Sequence, residues 1–281
     1  MFPYVSLKTW LRISNLPKSS FYEWSKKLNV VDHEEENLIK KIKLIIDKSK
    51  RRYGYRRVTL MLKNKGLVVN HKRVYRLMKE QNLLCDKFHR KTRKYYSYKG
   101  EVGRIANNEL NRNFKVDTPN KVWVTDVTEF KVGSDKLYLS PILDLYNSEI
   151  VSFSMSTRPT INFTNRSLNE AINKAPKPED LIIHSDQGFH YQHHTWVKML
   201  EDNNIRQSMS RKGNCIDNSP MENFFAILKQ EMYYGNEFRN IKNLKEEIIE
   251  YITWYNSDRI KTKLKGLSPV QYREESFGTT I

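Results

Sequence analysis

Three carboxylates stand out by residue type and spacing. Asp186 follows the apolar run Leu181-Ile182-Ile183-His184, Glu222 comes after a gap of 35 residues at the start of a helical pattern, and Asp126 lies inside Trp123-Val124-Thr125-Asp126-Val127-Thr128. Aspartate is depleted from strand interiors and a charge beside a core is costly, so Asp126 in the middle of an alternating strand needs a reason. Metal coordination is one such reason. Grouped carboxylates supply the hard oxygen donors that divalent cations take, and cutting or joining a DNA backbone requires such cations.

Two of the three also have structural explanations. Asp186-Gln187-Gly188 reads equally as a turn. Ser219-Pro220-Met221-Glu222 matches a capping box, with Ser219 as N-cap, Pro220 as the first helical residue and Glu222 as the third. The helical spacing adds something that a cap does not require: Met221, Phe224, Phe225 and Leu228 form one apolar stripe, while Glu222, Ala226 and Lys229 share another face. An acid able to hold a metal then stands beside a lysine able to touch a phosphate.

The elements that must position these residues follow from periodicity. Strands are expected over 122–130, 137–145 and 150–155, with Gly133-Ser134-Asp135 and Tyr146-Asn147-Ser148 as turns, which makes an antiparallel meander. A helix over 162–174, a buried strand over 180–184, a helix over 193–203, a short strand over 206–209 and helices from Pro220 and Leu244 complete the pattern. The fold class is α/β, a mixed sheet flanked by helices.

Upstream the grammar is helical. Two short pieces, 7–13 and 19–27, precede a helix in which Leu38, Ile39, Ile42, Ile45 and Ile46 recur at helical spacing and Glu34, Glu35 and Glu36 favour the N-terminal end. Tyr53-Gly54-Tyr55-Arg56-Arg57 breaks this pattern, a second helix resumes at Val58, and Asn70 can cap a third that carries Val74, Leu77 and Met78. Three helices with a turn before the last have the form of a helix-turn-helix DNA reader. Its outward Lys72, Arg73, Arg76 and Lys79 could reach phosphates or base edges, although a solvated basic face on a helical bundle gives the same pattern.

The net charge of +17 is concentrated: residues 40–115 hold 24 Lys and Arg against 5 Asp and Glu, or +19, which leaves −2 for the rest. A block of this kind suits a polyanion partner, with a solvated basic surface as the alternative. Within it, Lys91-Thr92-Arg93-Lys94-Tyr95-Tyr96-Ser97-Tyr98-Lys99 interleaves cations with rings, which fits an arm along DNA or a tether equally well. Cys85 and Cys215 are too few and too far apart for a disulfide framework or a zinc ribbon, and His184, His190, His193 and His194 lack a cysteine pair. A reduced cytosolic compartment is expected. No signal peptide is expected, because the opening residues lack a long apolar core with a small-residue cleavage site, and no apolar run reaches membrane-spanning length.

The motifs together resemble a known family, the retroviral-integrase-like DDE transposases of bacterial insertion sequences, in the group read from the second of two overlapping frames. Trp123-Val124-Thr125-Asp126-Val127-Thr128 is similar to the first-aspartate motif and His184-Ser185-Asp186-Gln187-Gly188 to the second. Gly213-Asn214-Cys215-Ile216-Asp217-Asn218-Ser219-Pro220-Met221-Glu222-Asn223-Phe224-Phe225 is similar to the glutamate motif, with Lys229 seven residues later. Tyr255-Asn256, Arg259, Leu264 and Ser268-Pro269 resemble the tail, and Tyr53-Gly54-Tyr55-Arg56-Arg57 the upstream helical module. Where many relatives carry a proline and a histidine, this tail reads Arg259-Ile260-Lys261-Thr262-Lys263, so no catalytic role is placed there.

The resemblance implies an RNase H-like core in which Asp126, Asp186 and Glu222 hold two Mg²⁺ or Mn²⁺ ions roughly 3.5–4 Å apart. With the reading of the basic faces above, DNA contacts are expected from Lys229, Arg56, Arg57, Lys72, Arg73, Arg76, Lys79, Arg93 and Lys94. Water as the nucleophile would nick an element end, and a 3′-hydroxyl would join it to target DNA. The expected partners are double-stranded terminal repeats and target, in an assembly of at least two copies at the nucleoid. No leucine zipper or first helix-turn-helix is visible, so a fusion or partnership with the first-frame product is expected.

The expected division is a short helical segment 1–32, a helix-turn-helix-like DNA-binding unit 33–84, a basic arm 85–118, the catalytic core 119–237 and a helical C-terminal segment 238–281. The alternatives are a non-enzymatic helix-turn-helix regulator and an RNase H-like nuclease without joining activity.

Overall fold

The computed structural model describes residues 6–29, 33–87, 105–175, 179–211 and 214–278. Helices α1 (Leu7–Ile13) and α2 (Lys18–Asn29) come first, and α1 buries no side chain. Helices α3 (His33–Lys48), α4 (Tyr55–Asn64) and α5 (His71–Glu80) then close around Leu38, Ile42, Ile45, Ile46, Val58, Leu62, Val74, Leu77 and Met78. These apolar positions recur every three or four residues, so each helix turns one stripe inward. Asn70 caps α5, its side chain accepting from the Lys72 N–H at 2.9 Å. The stretch that interleaves cations and rings, with Arg93 and Lys94, lies outside the described residues.

The sheet contains β1 (Val122–Thr125), β2 (Thr128–Val132), β3 (Asp135–Asp144), β4 (Ile150–Ser156), β5 (Ile182–Ser185) and β6 (Arg206–Met209). Strand β3 pairs antiparallel with β4 and with both β1 and β2, while β1 pairs parallel with β5 and β5 parallel with β6. The result is the expected mixed sheet of RNase H-like order. Strand β1 is buried throughout: Val122 and Val124 join one core and Trp123 the other.

One expectation needs correction. The single strand over 122–130 is two strands, and Asp126 and Val127 form the break between them. The register runs Thr125↔Ile142 and resumes Thr128↔Leu139, which leaves Asp126 and Val127 facing Pro141 and Ser140. Pro141 has no N–H to give a ladder, and the Val127 N–H turns instead to the Asp126 Oδ1 at 2.7 Å. Asp126 therefore sits past the end of a strand rather than in the middle of one.

Helices α6 (Ile161–Lys174), α7 (Phe189–Gln192) and α8 (His194–Asp202) supply Leu168, Ala171, Tyr191, Trp196 and Leu200 to one core. The helix expected over 193–203 begins at His194 because the His193 side chain caps it, accepting from the Thr195 N–H. The other core takes Met221, Phe224, Phe225 and Leu228 from α9 (Ser219–Leu228) and Leu244, Ile248, Tyr251, Ile252 and Tyr255 from α10 (Ile241–Ser257). Helix α11 (Pro269–Ser276) closes the chain with a capping box between Ser268 and Gln271. Among the described residues, no helix is long and apolar enough to cross a membrane.

Candidate active site

Parallel pairing between β1 and β5 brings the two aspartates together. Val122, Trp123 and Val124 face Ile182, Ile183 and His184, an offset of 60. Asp126 and Asp186 differ by the same 60 positions. Each lies just beyond the C-terminal end of its strand, on neighbouring strands about 4.8 Å apart. Crevices at such strand ends are where open α/β sheets place their ligands.

Both side chains are oriented by backbone N–H groups. Asp126 Oδ1 accepts from Val127, and Asp186 Oδ1 accepts from Gly188 at 2.8 Å. The turn reading of Asp186-Gln187-Gly188 therefore holds alongside any chemical role. A Cβ at Gly188 would lie 2.9 Å from that same Oδ1, so the turn admits only glycine without displacing the carboxylate. Each aspartate commits its Oδ1 to the main chain.

Glu222 arrives on the first turn of α9, half-buried. The capping box that competed to explain Glu222 is absent: Ser219 is already helical, the N-cap is Asn218, and the Asn218 side chain makes no capping hydrogen bond. Instead Asn218 Nδ2 donates to the Thr125 carbonyl at 3.0 Å. The start of α9 is thereby tied to the residue that precedes Asp126. Burial raises the Asp126 pKa well above the usual carboxylate range, and the charges of Asp186 and then Glu222 push it further. Lys229 opposes them. Its ammonium donates to Thr128 Oγ1 at 2.6 Å and lies 5.0 Å from the centre of the Phe130 ring, beside the first carboxylate.

Burial also raises the Asp186 carboxyl, with the Gly188 N–H and His190 acting the other way. His190 Nε2 donates to the Pro159 carbonyl at 2.9 Å, and burial lowers the ring's pKa. The Tyr191 side chain is buried, and burial followed by the charges of Asp126 and Asp186 raises its pKa strongly. No sequence signal marked Tyr191.

His184 is a core tie, its two ring nitrogens meeting Ser208 Oγ at 2.8 Å and Ser210 Oγ at 3.0 Å across β5 and β6. Burial pushes its pKa down to about 4. Among the described residues, no three His, Cys, Asp or Glu side chains are close enough together to hold a metal ion in these conformations. Asp126 and Asp186 are both anchored to the backbone, and a cation beside them would lower the cost of ionising two buried carboxyls. The donor set fits a hard divalent ion, being all oxygen and in need of positive charge.

The loop into α9 hangs on Asp217, whose carboxylate is inaccessible to solvent. It accepts from the Arg211 N–H at 3.1 Å, from Arg211 Nε and Nη2 at 2.9 and 3.0 Å, from Arg112 Nε at 2.8 Å and from Asn108 Nδ2 at 3.2 Å. The Arg211 guanidinium, with help from Arg112, holds this carboxyl far below the usual range. A depressed native pKa adds stability that is present above the unfolded value of about 3.9 and is lost as pH falls through the native one. Asp217→Asn should therefore cost about 2 kcal/mol near neutral pH, a gap that narrows below about pH 4. Urea unfolding of both proteins at about pH 7 and about pH 3 checks this, and a pH-independent gap would remove the ionic account.

The expected DNA contacts separate by placement. Arg56, Lys72 and Lys79 are exposed on α4 and α5. Arg76 lies 2.7 Å from Glu35 and 3.1 Å from Glu80, and Arg73 lies 3.5 Å from Glu35 and 3.7 Å from Glu34, so the acids of α3 hold both. Arg57 turns inward, 3.5 Å from the buried Glu231. Basic residues attract whatever acid the fold brings close, and these three found protein partners.

Comparison with known proteins supports this architecture. Two family models, each described as an integrase core domain, match residues 116–215 and 222–277, and an HTH-like domain matches 32–92. InsK of Escherichia coli (strain K12), assigned as the transposase of insertion sequence element IS150, is 47% identical over 95% of this chain and 93% of its own. The transposase for insertion sequence element IS904 of Lactococcus lactis subsp. lactis is 36% identical over 86% of this chain and 95% of its own. Among solved structures, the HTLV-2 integrase catalytic core domain in complex with magnesium aligns with 56% of this chain and 97% of its own, at TM-score 0.45 and 19% identity. The identity to insertion-element transposases runs through the helical unit, the sheet and the C-terminal helices alike, and the chain belongs to the insertion-sequence transposases that carry an integrase core domain behind an HTH-like domain.

Proposed function

We propose that this transposase binds the ends of its element and cleaves and joins DNA strands, with Asp126, Asp186 and Glu222 holding two Mg²⁺ or Mn²⁺ ions. What supports the reading is geometric: the parallel register of β1 and β5 sets Asp126 and Asp186 at neighbouring strand ends, and the Asn218 side chain ties the start of α9, which carries Glu222, to Thr125. When bound, such ions activate the attacking oxygen and stabilise the leaving oxygen of an in-line displacement.

The chain's own residues do the rest. The Val127 and Gly188 N–H groups fix the two aspartates, and Asn218 fixes the start of α9 against β1. Lys229, next to Asp126, is placed to neutralise a backbone phosphate. Arg56, Lys72 and Lys79 offer exposed cations for end DNA, while Arg73 and Arg76 would first have to leave Glu35. Residues 33–84 serve as the DNA-reading unit and 119–237, with α10, as the catalytic unit. Two ends must be held at once, so the working assembly has at least two copies, and a first-frame product is a candidate partner.

Incubating the full chain with labelled element ends, target DNA and Mg²⁺ or Mn²⁺ should yield nicked ends and then joined products. Nicks that never mature into joints would reduce the protein to a nuclease, and binding without any cleavage would make it a regulator.

A further inference from the structure

Helix α9 does not end at Leu228 but widens into a π-helical turn, Lys229–Tyr233, that carries Glu231. This acid is fully buried, yet it belongs to no catalytic group. Arg259 Nη2 and Nε donate to its two oxygens at 2.6 and 2.8 Å, and the Tyr251 hydroxyl donates at 2.9 Å. The Arg259 side chain is 1% exposed. A one-residue helical insertion that aims a charge into a core is costly unless that charge is needed there.

A fourth group comes from the other side. Arg57, on α4 of the HTH-like unit, reaches Glu231 at 3.5 Å, and Arg52 from the same unit lies over the rings of Tyr251 and Trp254 at 5.1 and 4.6 Å. The Tyr53 hydroxyl donates to the Asp258 carbonyl and accepts from the Ile260 N–H, both at 3.0 Å. Ile260 itself belongs to the core of the three-helix unit. Asn64 donates to the Gly266 carbonyl at 2.8 Å, and a Cβ on Gly266 would come within 2.8 Å of Leu60. The three-helix unit is thus seated on the C-terminal segment.

We infer that Glu231 is a positioning residue that registers the helix bearing Glu222 and Lys229 to the HTH-like unit through Arg259 and Arg57. The position where an end is bound thereby fixes the position where it is cut. The inference rests on the strand-cleavage reading above. Glu231 is nine residues beyond Glu222 and two beyond Lys229 on the same continuous helical run, so a shift of this anchor moves both.

The test uses the full chain with end-labelled element DNA and Mg²⁺. Glu231→Gln keeps the shape and loses the charge. It should lower the cleavage rate at saturating DNA about a hundredfold, as small misplacements do, while end affinity stays within about threefold. The nick, expected at one position in the natural protein, should spread over neighbouring phosphodiesters, which a loss of stability alone does not produce. A Glu231→Gln protein that folds and nicks one position at the natural rate overturns the inference.

If Glu231→Gln does not fold, Arg57→Met leaves the Glu231–Arg259 pair intact and should show the same scatter of nicks, and a single nick in Arg57→Met is then the overturning result. Thermal unfolding separates the two readings. The natural protein should melt in one transition and Arg57→Met in two, whether or not DNA is cut. Cleavage that survives Asp126→Asn overturns the catalytic reading, whereas one shared transition in Arg57→Met overturns this one.

Discussion

Asp126→Asn is expected to lower divalent-cation-dependent strand cleavage by about a thousandfold or more, while affinity for element ends stays within about threefold. The asparagine oxygen can still accept from the Val127 N–H, so the break between β1 and β2 is retained. What disappears is one negative charge and one donor to a hard cation. The native pKa of Asp126 is raised, so the stability it adds is present when the group is protonated and is lost as pH rises through the native value. At neutral pH without a cation, folding must either bury this charge or protonate the group, each at a cost, and Asp126→Asn should raise the melting temperature.

A bound cation reverses this sign. Mg²⁺ at a hundredfold excess over its dissociation constant should stabilise the natural protein by about 2.7 kcal/mol and the variant by much less. Calorimetry with and without Mg²⁺, beside a gel assay of cleavage, reads both effects. Undiminished cleavage, or an equal Mg²⁺ shift in the two proteins, would falsify the assignment of Asp126 as a cation ligand.

Arg259→Met should cost about 3–5 kcal/mol, because it leaves the Glu231 carboxylate buried with its bidentate partner gone. Arg57 cannot replace that partner, since it lies 3.5 Å away and is itself shared with the surface. Replacing both residues of the pair with methionine removes the stranded charge along with its partner and should recover most of the loss. Urea midpoints of the single and double variants decide it. A single variant within about 1 kcal/mol of the natural protein would show that the pair adds little.

Much of the fold was legible because helical and strand periods are local properties. Leu38, Ile42 and Ile45 announce a helix, Asn70 its neighbour's cap, and the meander is audible in the turns at Gly133 and Asn147. Asp126 was legible as an anomaly, but its place was misread: the strand breaks there because Pro141 stands opposite, and a partner across a sheet is invisible in a local window. Ser219 looked like a cap by composition. Asn218 took that position and then turned its side chain to Thr125, a contact with a residue 93 positions earlier.

The same limit explains the arginines. Arg57, Arg73 and Arg76 were all expected to contact DNA, yet each meets an acid brought from elsewhere. Glu231 carries no mark in the sequence, and only the π-helical turn, Arg259 and Tyr251 make it a buried anchor. Residue type and spacing by themselves determined the elements, the family and the three candidate acids, since those depend on chemistry and on periods of a few residues. Tertiary structure alone decided which charges meet, because an ion pair is set by distance through space, and the chain fixes that distance only once the sheet register and the seating of the helical unit are in place.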